Sequence, residues 1–107
     1  NRSMNQISVE EAYQTLRDSK KVIFLDVRTE GEFKRGHIEN ALHISLDQLD
    51  KNIEEEVPDK NIPIYVYCFS GSRSILAGEI LENLGYQNIY NIQNGVLAWR
   101  SRGYALV

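Results

Sequence analysis

The sequence predicts an α/β domain: a parallel sheet with helices on both faces. Three observations predict it. Short apolar runs of strand length alternate with stretches of helical period from Val22 to Trp99. The run Val22–Leu25 is continuously apolar, as in a strand buried on both faces of a parallel sheet, and Ile64–Tyr67 is a second apolar and aromatic run of strand length. Ser8-x-x-Glu11 and Thr29-x-x-Glu32 both have the spacing of a capping box, in which each partner satisfies an unpaired N–H at a helix start.

Taken in order, Ser8 opens a helix through about Ser19, with Ala12, Tyr13 and Leu16 toward the core. Lys20 and Lys21 form a solvated turn. Val22–Leu25 is a strand that ends at Asp26-Val27-Arg28, and Thr29 starts a short helix. Gly36-His37-Ile38 leads to a short strand over Ala41–Ile44. Ser45 caps a helix from Leu46, with Leu46, Leu49 and Ile53 on one face and the acidic Asp47, Asp50 and Glu54–Glu56 turned to solvent. Pro58 ends it. The strand Ile64–Tyr67 stops at Cys68, the only cysteine. From Ile75 the period is helical, and Ile75, Leu76, Ile80, Leu81 and Leu84 share one face, with Gly85 as the C-terminal cap glycine. Gln87–Ile92 contains the last strand. Gln93-Asn94-Gly95 turns at its end, a place for asparagine's tolerance of the left-handed region. Gly95 begins a helix with Val96, Leu97 and Trp99, whose indole N–H needs a partner if buried.

The chemistry gathers at Cys68. A thiol at the C-terminal end of a strand, before a loop that enters a helix, stands where open α/β sheets bind ligands. Loop N–H groups of Phe69, Ser70, Gly71, Ser72 and Arg73 have no strand partner. If the loop curls, they converge with the first-turn N–H groups of the helix into an anion nest. Sulfur at its centre is stabilised as thiolate, the nucleophilic form. Gly71 permits the positive φ of such a curl. Arg73 adds a positive charge, either to steer an anionic substrate or to lock the loop to the helix. The plainer alternative makes Cys68 a small buried hydrophobe.

Asp26 and Arg28 reach the same sheet edge. They read as an ion-pair scaffold in which Arg28 pairs with Glu32, and Asp26 is placed to brace the Cys68 loop by accepting backbone N–H bonds. His37 reads as a polar link between loop and sheet rather than a base for Cys68. Neither His37 nor His43 belongs to a metal-ligand spacing pattern.

Three blocks then combine. Val66-Tyr67-Cys68-Phe69-Ser70-Gly71-Ser72-Arg73-Ser74, with Ala77, Leu81, Gly85 and Tyr86, resembles the active-site loop of the rhodanese family of sulfurtransferases. Leu25–Arg28 with Glu32-Phe33, Gly36-His37-Ile38 and Ala41 resembles its Asp-Val-Arg and Gly-His-Ile segments. Gly95–Trp99 resembles its Gly-x-x-x-Trp, although Asn94 stands where the family commonly has glycine. The resemblance implies a rhodanese-like, mostly parallel five-stranded sheet, in one domain over residues 5–107, with residues 1–4 a domain edge or an expression remnant. It implies Cys68 as the catalytic residue, Phe69 to Arg73 as substrate-binding residues, and Asp26, Arg28 and Ser74 in support. The implied reaction moves a sulfane sulfur from thiosulfate or a persulfide donor through a Cys68 persulfide to a thiol or cyanide, without metal or organic cofactor. A protein acceptor is a further partner class. Within the loop only Arg73 is charged, which favours a persulfide less charged than thiosulfate.

Two other functions use the same residues. One is a sulfur-carrier or protein-binding module of a larger protein. The other is a phosphatase or arsenate reductase, whose pattern is Cys-x5-Arg. Here only four residues separate Cys68 from Arg73, and a shorter ring of amides makes a cup for one sulfur atom rather than a tetrahedral phosphate.

Composition bounds the rest. A chain of 107 residues builds one modest core. A net charge of −3 gives no general attraction to nucleic acid or anionic membrane, and no apolar run has the length of a membrane span. One cysteine forms no internal disulfide or multi-cysteine metal site, and an unpaired thiol fits a cytoplasmic, reducing setting.

Overall fold

Five strands make one sheet: β1 (Asn5–Ile7), β2 (Ile23–Asp26), β3 (Leu42–His43), β4 (Ile64–Tyr67) and β5 (Ile89–Ile92). The computed structural model describes residues 4–107. The strand order is β1-β5-β4-β2-β3, and every pairing is parallel. Successive strands step outward to β3, then return to β4, which lies beside β2. The order therefore reverses between β2 and β4, and Cys68 follows β4 at that reversal.

The helices are α1 (Val9–Arg17), α2 (Glu30–Arg35), α3 (Leu49–Glu56), α4 (Ser72–Asn83) and α5 (Gly95–Ser101). Alternate residues of the strands feed two cores, one on each face of the sheet. Phe24, Tyr65 and Tyr67 pack with Val9, Ala12 and Trp99, from α1 and α5. Leu25, Ile64 and Val66 pack with Leu49, Ile53, Ala77 and Leu81, from α3 and α4. Helices thus cover both faces, as the continuous apolar runs require. Both capping boxes form, at Ser8–Glu11 and Thr29–Glu32. Gly85 ends α4 at φ +94°, and two bonds close the turn, Tyr86 N–H to Leu81 O and Gly85 N–H to Glu82 O, both 3.0 Å. Trp99 donates its indole N–H to the Ala105 carbonyl at 3.0 Å.

Four expectations change. Strand β1 had no sequence signature: Asn5-Gln6-Ile7 is short and polar, and its pairing with β5 makes it a strand. Helix α1 ends at Arg17, two residues before Ser19. Ser45 gives no backbone cap; its hydroxyl donates to Asp47 at 2.7 Å, and the chain winds a 3₁₀ turn, Leu46–Gln48, before α3. Helix α4 starts at Ser72 rather than Ile75, and it buries Ser74, Ala77, Gly78 and Leu81. Ile75 and Leu76, read as part of one apolar helix face, are 43% and 52% exposed, and Leu97 of α5 is 49% exposed. Leu81 is fully buried and Ile80 and Leu84 pack against the core, while the first turns of α4 turn the small Ser74, Ala77 and Gly78 inward, with Gly78 against the Met4 side chain. What was expected of residues 1–3 lies outside the described residues, while Met4 packs against the α3–α4 core.

Candidate active site

The site is built by three strand ends. Strand β4 delivers Cys68, β2 delivers Asp26 and Arg28, and the turn after β5 delivers Asn94 and Gly95. Because all strands are parallel, these ends share one edge.

The loop after Cys68 is held by α5. Val96 N–H donates to the Cys68 carbonyl and Leu97 N–H to the Phe69 carbonyl, each at 3.0 Å. Gly95 makes the approach possible: a Cβ there would run into the Cys68 carbonyl oxygen, and its φ is +45°. Asn94 adopts the left-handed conformation, φ +60°, as the turn demands. Gly71 does the same at the start of α4, φ +118°.

The Cys68 thiol is only 1% exposed and borders the α3–α4 core. The amides face it nonetheless. Gly71 N–H donates to Sγ at 3.1 Å. Burial pushes the thiol up, but hydrogen bonds from the Ser74 hydroxyl and from the N–H groups of Ser74, Gly71 and Arg73 outweigh it, and the result lies below an ordinary thiol. Ser74 Oγ lies 3.6 Å from Sγ, 3.1 Å from the Gly71 carbonyl and 2.5 Å from Asn91 Oδ1. A hydroxyl has one proton. With the thiol protonated, Ser74 accepts from Sγ and donates to Asn91; with the thiolate, that proton can turn to sulfur. Phe69, Ser70 and Ser72 are exposed around the loop.

Arg73 does not project freely. Its guanidinium forms a bidentate pair with Glu32, Nη1–Oε1 2.7 Å and Nη2–Oε2 3.1 Å. Glu32 also accepts from the Thr29 N–H at 3.0 Å. The Arg73 bonds lead in holding the Glu32 carboxyl down to about 2. This corrects the expected Arg28–Glu32 pair. Arg28 instead pairs with Asp26 at 2.8 Å and donates to the Gly36 carbonyl at 2.7 Å. Asp26 spends its oxygens on the Arg28 side chain and the Arg28 N–H, so it does not brace the Cys68 loop through backbone N–H bonds. The short spacing explains the exchange: Asp26 and Arg28 point the same way from one extended segment, and the arginine folds back. Both histidines are tied to carbonyls, His37 to Phe33 at 2.9 Å and His43 to Arg28 at 2.8 Å.

A match to the model of the rhodanese-like domain spans residues 8–102. The chain belongs to the rhodanese-like family. This rhodanese-like domain is 33% identical over 104 residues to a sulfurtransferase of Allochromatium vinosum, covering 97% of this chain and 95% of that one. It is 31% identical over 96 residues to the thiosulfate sulfurtransferase GlpE of Coxiella burnetii, covering 90% of this chain and 87% of the relative. Among solved structures it is similar to a rhodanese-related protein from Thermoplasma volcanium, with a TM-score of 0.82, 29% identity, and coverage of 100% of this chain and 98% of that one.

Two residues of the site escaped the sequence reading. Asn91 accepts from Ser74 and donates to Gln6 at 2.8 Å, tying α4 to two strands. Its signal was an asparagine inside the apolar run Ile89–Ile92. Tyr67 takes the Ile38 N–H on its hydroxyl at 3.1 Å, and burial followed by the Asp26 carboxylate holds that hydroxyl in its neutral form. Nothing in a strand-forming tyrosine announces such a role.

Proposed function

We propose that this rhodanese-like domain is a sulfurtransferase that carries a sulfane sulfur on Cys68. The observation that carries the reading is the Gly71 N–H at 3.1 Å from Sγ, within a loop whose donors lower the thiol's pKa despite its burial. The Cys68 thiolate attacks the outer sulfur of thiosulfate or of a persulfide. The donor's S–S bond breaks, and its electron pair leaves with sulfite or the donor thiolate. The anionic outer sulfur on Cys68 rests on the loop N–H groups from Phe69 to Arg73, of which that of Gly71 already reaches Sγ at 3.1 Å. A thiol or cyanide then attacks that sulfur, and Cys68 returns as thiolate. The cycle moves one sulfur atom at a time and calls for no metal or organic cofactor.

The spacing and Arg73 both favour this over phosphoryl transfer. A phosphate-binding loop uses its arginine on the substrate, whereas Arg73 is committed to Glu32 in a bidentate pair. Arg73 therefore acts as a lock between α2 and the active-site loop, Asp26 and Arg28 as the scaffold of the neighbouring strand end, and Ser74 as the support of the thiolate. Intact mass after incubation with thiosulfate tests the reading. The expected result is a gain of one sulfur atom, removed by cyanide and absent in Cys68→Ser; no gain on the native protein with any sulfane donor contradicts it.

A further inference from the structure

Beside the loop lies an open cleft of about 320 Å³, lined by Arg28, Glu32, Arg35, Gly36, Phe69, Val96, Arg100 and Leu106. Its wall touches the reactive residue through two neighbours: Phe69 follows Cys68 in the chain, and Val96 donates to the Cys68 carbonyl. Three arginines and one glutamate line it. Arg28 is buried in its pair with Asp26, and the charge of Glu32 is met by Arg73. What is left uncompensated is Arg35, at the end of α2, and Arg100, on α5. Both are exposed, and neither forms a salt bridge among the described residues. The same two side chains also line the adjoining cleft with Gly103, Tyr104 and Leu106, so they stand between the two depressions.

This placement runs against the chain's net charge of −3. The positive charge is local, at the one edge where a negatively charged sulfur compound has to arrive. The size is also informative. A cleft of about 320 Å³ is at the small end of the range of small-molecule sites. An inorganic oxyanion fills a small part of it, while an organic molecule with its own apolar body finds Phe69, Val96 and Leu106 to lie against.

We propose that Arg35 and Arg100 form an anion clamp over the Cys68 loop that selects a small organic thiol, or its persulfide, carrying two carboxylates as co-substrate. The inference rests on the sulfur-transfer reading and deepens it. In the acceptor direction the thiolate of the clamped molecule attacks the outer sulfur of the Cys68 persulfide. A new S–S bond forms on the acceptor, the Cys68 S–S bond breaks, and its electron pair remains on Cys68 as thiolate. In the donor direction the same exchange runs backward, so no outside oxidant or reductant enters. Arg35 and Arg100 are specificity residues that touch the substrate's carboxylates and take no part in the sulfur exchange.

Calorimetric binding tests the clamp without any turnover. The probes are S-methylmercaptosuccinate, which keeps two carboxylates and has no reactive thiol, and its uncharged counterpart S-methylthioglycerol. On Cys68→Ala protein the dicarboxylate binds about tenfold more tightly than the neutral compound, and the preference shrinks in high salt. Arg35→Ala/Arg100→Ala removes the preference and leaves the weak binding of the neutral compound as it was. Equal affinity for the two probes, or a preference that survives the double substitution, overturns the clamp. The sulfur gain on Cys68 in native protein is measured separately by mass. If that gain appears while the preference is absent, the clamp alone fails; if the preference appears while the gain is absent, the transfer reading fails.

Discussion

Two pairs of helix starts in this domain solve the same problem in opposite ways. Helices α1 and α2 begin with complete capping boxes, Ser8 with Glu11 and Thr29 with Glu32, so their first N–H groups are satisfied by their own side chains. Helices α4 and α5 begin at Gly71 and Asn94, both left-handed and without a side-chain cap. Their amides are spent elsewhere: Gly71 on the Cys68 sulfur, Val96 and Leu97 on the carbonyls of Cys68 and Phe69. A capped helix start is finished structure. An uncapped one leaves donors for other partners, and here the starts of α4 and α5 both serve the Cys68 loop, while the third uncapped start, that of α3, follows a 3₁₀ turn away from it. The two kinds also meet, because the Glu32 that completes the α2 box is the partner of Arg73 in the first turn of α4.

The comparison can be broken at either kind of end. The largest effect belongs to Gly95→Ala. Its new methyl meets the Cys68 carbonyl oxygen, at a backbone conformation side chains avoid. A loss on the order of 3 kcal/mol or more is expected, seen as a much lower melting temperature, with sulfur uptake lost because the loop is no longer pinned. Next is Arg73→Ala, which frees Glu32 and costs roughly 1–2 kcal/mol for a half-buried bidentate pair. The sign with pH follows from Glu32. Its folded value of about 2 lies below the ordinary 4.5, so it stabilises the fold above 4.5 and this contribution fades as pH falls toward 2. Native protein should lose melting temperature across that window, and Arg73→Ala should lose less. Donor KM should stay close to native, since the arginine is a lock; a large rise in KM with unchanged stability contradicts it.

Ser8→Ala is the control at a finished end. It costs about 1 kcal/mol and leaves the pH dependence of sulfur uptake unchanged. Ser74→Ala is the counterpart at an open end. It removes a hydrogen bond that lowers the Cys68 pKa, so the thiolate forms at higher pH and sulfur uptake at neutral pH falls a few-fold. The pH at which uptake is half-maximal, measured in the two variants, separates them: the limb moves up in Ser74→Ala and stays in place in Ser8→Ala.

What the sequence made legible follows the same division. The two capping boxes, the two apolar central strands and the glycine that ends α4 are local patterns, and each forms as read. The loop after Cys68 was legible as a likeness and as a possible curl, because Gly71 and the absence of strand partners are local too. The partners across the sheet were not. Arg73 and Glu32 are 41 residues apart, and nothing near either names the other. The inward face of α4 was misread in part for a related reason. Of the face read from hydrophobicity, Leu81, Ile80 and Leu84 do pack on the core, but Ile75 and Leu76 do not; the first turns of α4 bury Ser74, Ala77 and Gly78 instead, and Ser74 was wanted at the sulfur. Strand β1 exists only because β5 offers it an edge.

The account depends on Cys68 being held as a thiolate by donors that outweigh its burial. Because the chain contains one cysteine, its ultraviolet thiolate absorbance can be followed against pH as the difference between native protein and Cys68→Ser, which removes the contribution of the tyrosines. The account predicts a midpoint below that of an unperturbed thiol, shifting upward in Ser74→Ala. A midpoint at or above the ordinary value in native protein would contradict it, for burial would then have won.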